Sequence, residues 1–257
     1  MKLPNISPLV ALASALAAPT VAAAAVVTTA SVTAIPIEAA VTQTAAAAPY
    51  EEDIVDLLFT RTDLEDAVAD TAHTATFPEL ILIYARGSLE PGNLGLEAGP
   101  ELSNALETHY GDASAVWIQG VGYPYIADLV ANFLPDGTTQ AAIAEAARLF
   151  ALAQVVCPGT PVVAGGYSQG TAVITNALSN LPPSTQDQIK GAVLFGYTHN
   201  TQNHGAIPDF PSEKTKVYCL PLDAVCDGTL FMLPDHFLYE YEAAVDAGLW
   251  LGGRLGW

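Results

Sequence analysis

Residues 164–170 read Ala-Gly-Gly-Tyr-Ser-Gln-Gly and contain the pattern Gly-x-Ser-x-Gly. An apolar run precedes this heptapeptide, and a helix-like run at 171–178 follows it. A serine placed in this way between a strand and a helix is typical of a nucleophile elbow, whose sharp turn leaves no room for neighbouring Cβ atoms. The pattern therefore predicts that Ser168 is a nucleophile and that the amide of Gln169, at a helix N-terminus, donates to an oxyanion. The alternative is a glycine-rich turn with an incidental serine.

Strand-like and helix-like segments alternate on both sides of this turn. The predicted strands are 80–85, 115–119, 162–164, 191–195 and 216–219. The predicted helices are 101–110, 138–155 and 171–178. This alternation predicts an α/β fold with a central, mainly parallel five-stranded sheet that is covered on both faces. In such a sheet the reactive groups lie beyond the carboxyl ends of the strands, where Ser168 is expected.

The charge balance limits the classes of partner. The chain of 257 residues carries 27 acidic and 8 basic residues, which gives a net charge of −19. Such a surface repels phosphate backbones and anionic membranes, so we expect no nucleic-acid partner and a soluble monomer. Acidic and apolar residues at helical spacing over 51–70 predict one or two short amphipathic helices. No loop there alternates carboxylates ahead of a glycine, so no metal site is predicted.

The first 49 residues differ in composition from the rest and are mostly Ala, Val, Thr and Pro. Lys2, followed by an apolar run and an A-x-A site, predicts a secretory signal peptide over residues 1–18. Residues 19–49 are interpreted as a low-complexity pro-segment or linker, and residues 50–257 as a single catalytic domain. A membrane anchor is the alternative, but a proline and the alanine-rich composition argue against it. We therefore expect a secreted, extracellular protein without integral membrane association.

Hydrolases with this elbow carry an acid and then a histidine after the serine. Two of the later histidines, His199 and His204, lie in a polar run and are interpreted as solvated loop residues. The third, His236, opens the last helix-like segment, which would hold it rigidly. Asp223 is the candidate acid.

Asp223 stands between Cys219 and Cys226, which are spaced to close a small loop. In an exported protein a disulfide between such cysteines is expected. By the chain-entropy estimate, a loop of this size contributes roughly 2.5 kcal/mol to stability. The bridge would also fix the orientation of Asp223.

The sequence resembles the fungal cutinases, which are small α/β-hydrolases of the cutinase and acetylxylan esterase family. The resemblance covers about residues 60–245, with the matching motifs in the right order. These motifs are 83–88 (Ile-Tyr-Ala-Arg-Gly-Ser), 92–95 (Gly-Asn-Leu-Gly), 117–122 (Trp-Ile-Gln-Gly-Val-Gly), 165–170 (Gly-Gly-Tyr-Ser-Gln-Gly), 193–197 (Val-Leu-Phe-Gly-Tyr) and 215–226, which begins Thr-Lys-Val-Tyr-Cys.

The resemblance implies a three-layer α/β-hydrolase sandwich without a full lid, so that the nucleophile is open to insoluble esters. It implies a catalytic triad of Ser168, Asp223 and His236. It also implies that the chain needs no cofactor and no metal.

An oxyanion hole is implied in the same way. Its donors would be the amides of Ser88 and Gln169, with the Ser88 hydroxyl as a third donor and Asn132 in support of that hydroxyl. Apolar positions at the rim of the site would be Leu129, Leu230, Met232 and Phe237. The alternative for these four residues is ordinary core or surface packing.

Three positions depart from the family pattern. The family usually pairs a cysteine near the first strand with one before the elbow strand, but here Phe77 replaces the first and leaves Cys157 over. We expect Cys157 to be a buried thiol; the alternative is an exposed thiol that pairs between molecules. Leu89 replaces the threonine common after the oxyanion serine. Asp235 replaces a proline before His236 and is interpreted as a partly solvated neighbour of the ring.

These observations predict a secreted serine esterase that hydrolyses carboxylic ester bonds of cutin or similar aliphatic polyesters through an acyl-enzyme. Its partners would be an insoluble polyester or small esters. The first alternative is an acetylxylan esterase, which shares the fold and triad. The second alternative is a non-catalytic surface-binding protein on a hydrolase fold.

Overall fold

Five parallel strands form the centre of the fold. The computed structural model describes residues 59–70 and 77–257, and the predictions made for residues 1–49 lie outside this part of the chain. The strands are β1 Leu80–Ala85, β2 Val116–Gly120, β3 Val162–Tyr167, β4 Ile189–Phe195 and β5 Thr215–Tyr218. All four strand pairings are parallel, in the order β2-β1-β3-β4-β5. The predicted five-stranded α/β fold is confirmed.

Helices connect the strands and cover the sheet. Short 3₁₀ turns lie at Ala113–Ala115, Leu129–Phe133, Ser212–Lys214 and Pro234–Phe237, and a π-helical segment at Glu242–Ala247. The α-helices of the described residues are α1 Asp63–Ala69, α2 Ala98–Tyr110, α3 Gln140–Val156, α4 Gln169–Asn180, α5 Pro183–Gln188 and α6 Gly248–Leu255.

The two faces of the sheet bury separate apolar clusters, because alternate side chains of a strand point to opposite faces. Ile81 and Ile83 of β1 belong to the cluster that contains residues of α3 and α4. Leu80 and Leu82 belong to the cluster that contains residues of α2 and α6. Every residue of β1 is buried, as expected for a central strand covered on both sides. The result is the predicted three-layer sandwich.

The strand β3 is longer than the sequence pattern predicts. It continues past Ala164 to Tyr167, and its two glycines pair with β1 and β4. A Cβ at Gly165 would lie 2.6 Å from the ring of Tyr84, so a larger residue would not fit there. The glycines thus mark close packing within the strand rather than its end.

The cysteines behave as expected. Cys219 and Cys226 form a disulfide, with their Cα atoms 6.1 Å apart, and the predicted bridge is confirmed. Cys157 is free and 2% exposed. Burial raises the pKa of its thiol, which makes the reactive thiolate scarcer. The interpretation of Cys157 as a buried thiol is thus supported over an exposed one.

Two predictions about the histidines need correction. His236 does not open a helix: it lies on the isolated 3₁₀ turn Pro234–Phe237, and two non-helical residues separate this turn from the next helical segment. His199 is half-buried rather than solvated, and burial lowers the pKa of its imidazole. His204 is exposed, as expected.

None of the helices in the described ranges is long and apolar enough to cross a membrane.

The carboxyl ends of the five parallel strands lie at one edge of the sheet. Ser88 follows β1, Ser168 follows β3 and Asp223 follows β5, so the topology brings these residues to a common edge.

Candidate active site

Ser168 occupies a strained turn between β3 and α4, with φ 51° and ψ −123°. A positive φ of this kind costs a residue other than glycine about 1–3 kcal/mol. A Cβ at Gly170 would lie 1.9 Å from the carbonyl oxygen of Ala85, and one at Gly166 would lie 2.7 Å from the carbonyl oxygen of Gly170. The amide of Ser168 donates to the carbonyl of Phe195 at 2.9 Å, which holds the turn against β4. Close packing therefore requires both glycines of the pattern.

A hydrogen-bonded chain of three side chains begins at Ser168. The Ser168 Oγ lies 2.9 Å from Nε2 of His236. The Nδ1 of the same ring lies 2.9 Å from Oδ2 of Asp223 and 3.0 Å from its Oδ1. Ser168, His236 and Asp223 are 8%, 1% and 3% exposed, respectively. The neutral ring can accept the serine proton at Nε2 while Nδ1–H donates to the carboxylate.

Asp223 has further partners that hold its carboxylate in the charged form. The hydroxyl of Tyr239 donates to Oδ2 at 2.6 Å, and the amide of Val225 donates to Oδ1 at 3.0 Å. Burial alone raises the pKa of Asp223, but the hydrogen bonds from His236 and Tyr239 outweigh burial and leave the pKa below its ordinary value. Asp223 is therefore an anion that can stabilise a protonated His236.

The turn that carries His236 is also held in place. The hydroxyl of Tyr167, the residue before Ser168, donates to the backbone carbonyl of His236 at 2.8 Å. Asp235 accepts a hydrogen bond from the amide of Leu222 at 3.3 Å, which ties the turn to the loop of the candidate acid. The carboxylate of Asp235 is thus engaged with backbone, while Asp223 faces the ring.

The residues expected to form an oxyanion hole lie beside Ser168. Gln169 is the first residue of α4, so its amide has no acceptor within the helix. The amide of Ser88 donates to no backbone carbonyl within the described ranges. The Ser88 Oγ accepts from Asn132 Nδ2 at 2.9 Å and from Gln169 Nε2 at 3.2 Å. With both neighbours donating, the hydroxyl proton of Ser88 is available to a third group.

A cavity of about 110 Å³ opens above Ser168. Three of the four predicted rim residues, Leu129, Leu230 and Met232, line it, together with Ser88 and Asn132. Phe237 does not line the cavity; it is 46% exposed and packs edge-on against the His236 ring, with centroids 5.6 Å apart. Three larger surface clefts contain none of Ser168, His236 and Asp223.

Sequence reasoning missed several residues of the site. Phe133, Thr198 and Val225 also line the cavity, and Tyr239 binds the candidate acid. Phe133 lies four residues after the predicted Leu129, in a segment that is apolar except for Asn132, and this is a signal that the sequence did offer. Thr198, Val225 and Tyr239 carried no such signal, because only the folded chain brings them to the site of Ser168 and Asp223.

Comparison with known families agrees with this geometry. A sequence model of the cutinase family matches residues 76–255, which is more than half of the chain. The chain belongs to the cutinase family. Members of this family are carboxylic ester hydrolases, so the chain is an enzyme of that class and the non-catalytic alternative is not supported.

Individual cutinases are closely similar to the chain. A cutinase of Pyricularia oryzae is 59% identical over 181 residues, which are 70% of this chain and 78% of that protein. A cutinase of Colletotrichum truncatum is 54% identical over 198 residues, which are 77% of this chain and 84% of that protein. Both identities are well above the level at which a family resemblance becomes doubtful.

Solved structures of both esterase types share the fold of this chain. A Trichoderma reesei cutinase in complex with a phosphonate inhibitor has a TM-score of 0.62 and 31% identity, and covers 79% of this chain and 89% of its own. The catalytic core of acetyl xylan esterase from Trichoderma reesei has a TM-score of 0.55 and only 19% identity, and covers 70% of this chain and 100% of its own. The acetyl xylan esterase shares the fold, and the closer sequence agreement is with cutinases.

The hydrogen bond from Tyr239 to Asp223 should stabilise the folded state of this cutinase-family chain. A carboxylate whose pKa is lower in the folded state contributes stability above its unfolded pKa, and loses it as the pH falls through the folded pKa. Tyr239→Phe removes one cause of the lowering. At pH 7 the free energy of unfolding of the variant should be about 1.5–3 kcal/mol lower than that of the native chain, which is the usual contribution of a hydrogen bond to a charged group.

This difference should shrink at a pH where Asp223 is protonated in both proteins. Urea unfolding at neutral and acidic pH measures it. Tyr218→Phe is the matched control, because the buried Tyr218 hydroxyl has no hydrogen-bond partner within the described residues. A loss of stability that is the same at every pH would show that Tyr239 does not lower the pKa of Asp223.

Proposed function

We propose that the chain is a secreted, extracellular serine esterase that hydrolyses cutin or a similar aliphatic polyester through an acyl-enzyme. The observation that carries this proposal is the chain Ser168–His236–Asp223, whose serine opens into a small cavity with an apolar rim. The names of the similar cutinases support the same substrate class.

The reaction begins when His236 Nε2 takes the proton of Ser168 and the serine oxygen attacks the ester carbonyl. The new oxyanion accepts hydrogen bonds from the amides of Ser88 and Gln169 and from the Ser88 hydroxyl. The protonated ring, stabilised by Asp223, then gives its proton to the leaving alcohol. Water, activated by the same ring, attacks the acyl-enzyme and releases the acid.

The rim explains why a polyester suits the site better than a small acetyl ester. Two segments, 129–134 and 230–238, flank the cavity and expose apolar side chains at the edge where Ser168 opens. Apolar side chains exposed to water gain free energy when aliphatic chains cover them. The exposed residues are Leu129, Val130, Phe133, Leu134, Leu230, Phe231, Met232, Leu233, Phe237 and Leu238.

Substrate preference tests the proposed class. Rates with p-nitrophenyl esters should be higher for butyrate and longer acyl chains than for acetate, and the enzyme should release monomers from an aliphatic polyester film but no acetate from acetylated xylan. Strict acetate preference together with turnover of acetylated xylan would instead support the acetylxylan esterase alternative.

A rim variant sharpens this test. Leu230→Ser combined with Met232→Ser removes two half-exposed apolar side chains, each contributing about 1 kcal/mol if covered by substrate, so hydrolysis of the film should fall roughly 30-fold. Turnover of the acetate ester should change little. Leu249→Ser is the control, because Leu249 is 73% exposed on α6 and lines a cleft that does not contain Ser168.

A second prediction concerns which carboxylate serves His236. Asp223→Asn leaves Nδ1 without its anionic acceptor and should lower kcat by several orders of magnitude, about 10⁴-fold in the reference serine protease. Asp235→Asn keeps an oxygen that can accept from the Leu222 amide and should retain most activity. Steady-state kinetics of both variants decide the assignment, and a severe loss in Asp235→Asn with a mild loss in Asp223→Asn would reverse it.

A further inference from the structure

The loop between β1 and α2 carries Ser88 and closes around one carboxylate. The amide of Gly87 donates to Oε2 of Glu90 at 2.5 Å. The amides of Leu96 and Glu97 both donate to its Oε1, each at 2.8 Å. A single side chain therefore joins the start of the loop, next to Ser88, to its end at the N-terminus of α2.

The hydrogen-bond donors of the loop fit a carboxylate better than an uncharged side-chain amide. All three partners are N–H donors, and a carboxylate offers acceptors at both oxygens. Gly95 has φ 81°, and a Cβ there would lie 2.4 Å from Oε2 of Glu90. A glutamine at the same position would have to turn its NH₂ group toward at least one of the three donors. The site thus selects the charged side chain.

The hydrogen bond from the Gly87 amide to Glu90 holds the backbone on the N-terminal side of Ser88. On the other side, Leu89 is in the left-handed region with φ 64°, and its amide donates to the carbonyl of Ala127 at 3.0 Å. The side chain of Ser88 is held separately, by Asn132 and Gln169. The direction of the Ser88 amide is therefore set by its two neighbours, Gly87 and Leu89.

We infer that Glu90 is a positioning residue of the oxyanion hole: its carboxylate holds the Gly87 end of the loop so that the Ser88 amide points to the site where the oxyanion forms. Glu90 acts through the loop backbone and does not line the cavity above Ser168. This inference rests on the proposed function of Ser88 as an oxyanion donor.

The first test is Glu90→Gln, measured with a soluble butyrate ester. A donor displaced by about 1 Å can cost roughly 10²-fold in rate, so kcat should fall by about 10- to 100-fold. KM should stay near its native value, because the donor acts on the transition state more than on the bound ester. Glu101→Gln is the matched control, because it also removes one carboxylate charge. Glu101 lies in the first turn of α2 and makes no side-chain hydrogen bond within the described ranges.

A double-mutant cycle with Ser88→Ala separates the amide of Ser88 from its hydroxyl. Ser88→Ala removes the hydroxyl and keeps the amide, so Glu90→Gln should lower kcat by a similar factor in the Ser88→Ala background and in the native one. An effect of Glu90→Gln that disappears in the Ser88→Ala background would show that Glu90 acts on the hydroxyl and would overturn the inference, as would a native kcat in Glu90→Gln or a raised KM at constant kcat.

If Glu90→Gln does not fold, Glu90→Asp is measured in its place. It keeps the charge, but its shorter side chain cannot reach the Gly87 amide and the α2 amides together, so kcat should again fall at constant KM. A native kcat in Glu90→Asp would contradict the inference. The proposed function fails separately, if the native enzyme hydrolyses no ester or Ser168→Ala keeps its activity.

Discussion

The site depends on the close contact between the turn at Ser168 and the end of β1. The Cα of Gly170 lies so near the carbonyl of Ala85 that a Cβ would approach its oxygen to 1.9 Å. This contact sets the first turn of α4 against the strand that leads to Ser88. It therefore brings together the serine, the amide at the start of α4 and the loop that carries Ser88, the proposed second oxyanion donor. The strain at Ser168 is offset by hydrogen bonds of its backbone, from the Thr171 hydroxyl to its carbonyl at 2.6 Å and from its amide to the Phe195 carbonyl at 2.9 Å.

The second half of the site depends on a buried anion. Asp223 is placed after β5 by a loop that the Cys219–Cys226 disulfide closes, and its oxygens accept from His236, Tyr239 and the Val225 amide. A buried carboxylate is unfavourable unless such donors satisfy it. Here they leave its pKa below the ordinary value. The same donors that stabilise the charge also fix its direction, so stability and catalytic geometry depend on the same contacts.

Much of this architecture could be predicted from the sequence, because it follows from local patterns. Continuous apolar runs located the strands, and β1 begins and ends at the predicted residues. The glycine pattern located the turn at Ser168, and chain order with the flanking cysteines indicated Asp223. Other features could not be predicted because they depend on tertiary packing. The two glycines of β3 continue the strand, and the space beside them is filled by tertiary packing: the Tyr84 ring lies beside Gly165 and the backbone of Gly170 beside Gly166. His236 sits on an isolated turn that the Tyr167 hydroxyl holds, and the Tyr239 and Glu90 contacts join residues whose positions only the fold determines.

The proposed mechanism requires Ser168 to be the nucleophile whose oxygen becomes acylated. Reaction of the purified enzyme with an alkyl p-nitrophenyl phosphonate, followed by intact-mass analysis and peptide mapping, measures this directly. We expect one phosphonyl group per chain, located on Ser168, with loss of esterase activity in proportion to labelling and no adduct in Ser168→Ala. Labelling of another residue, or full activity in a chain labelled at Ser168, would contradict it.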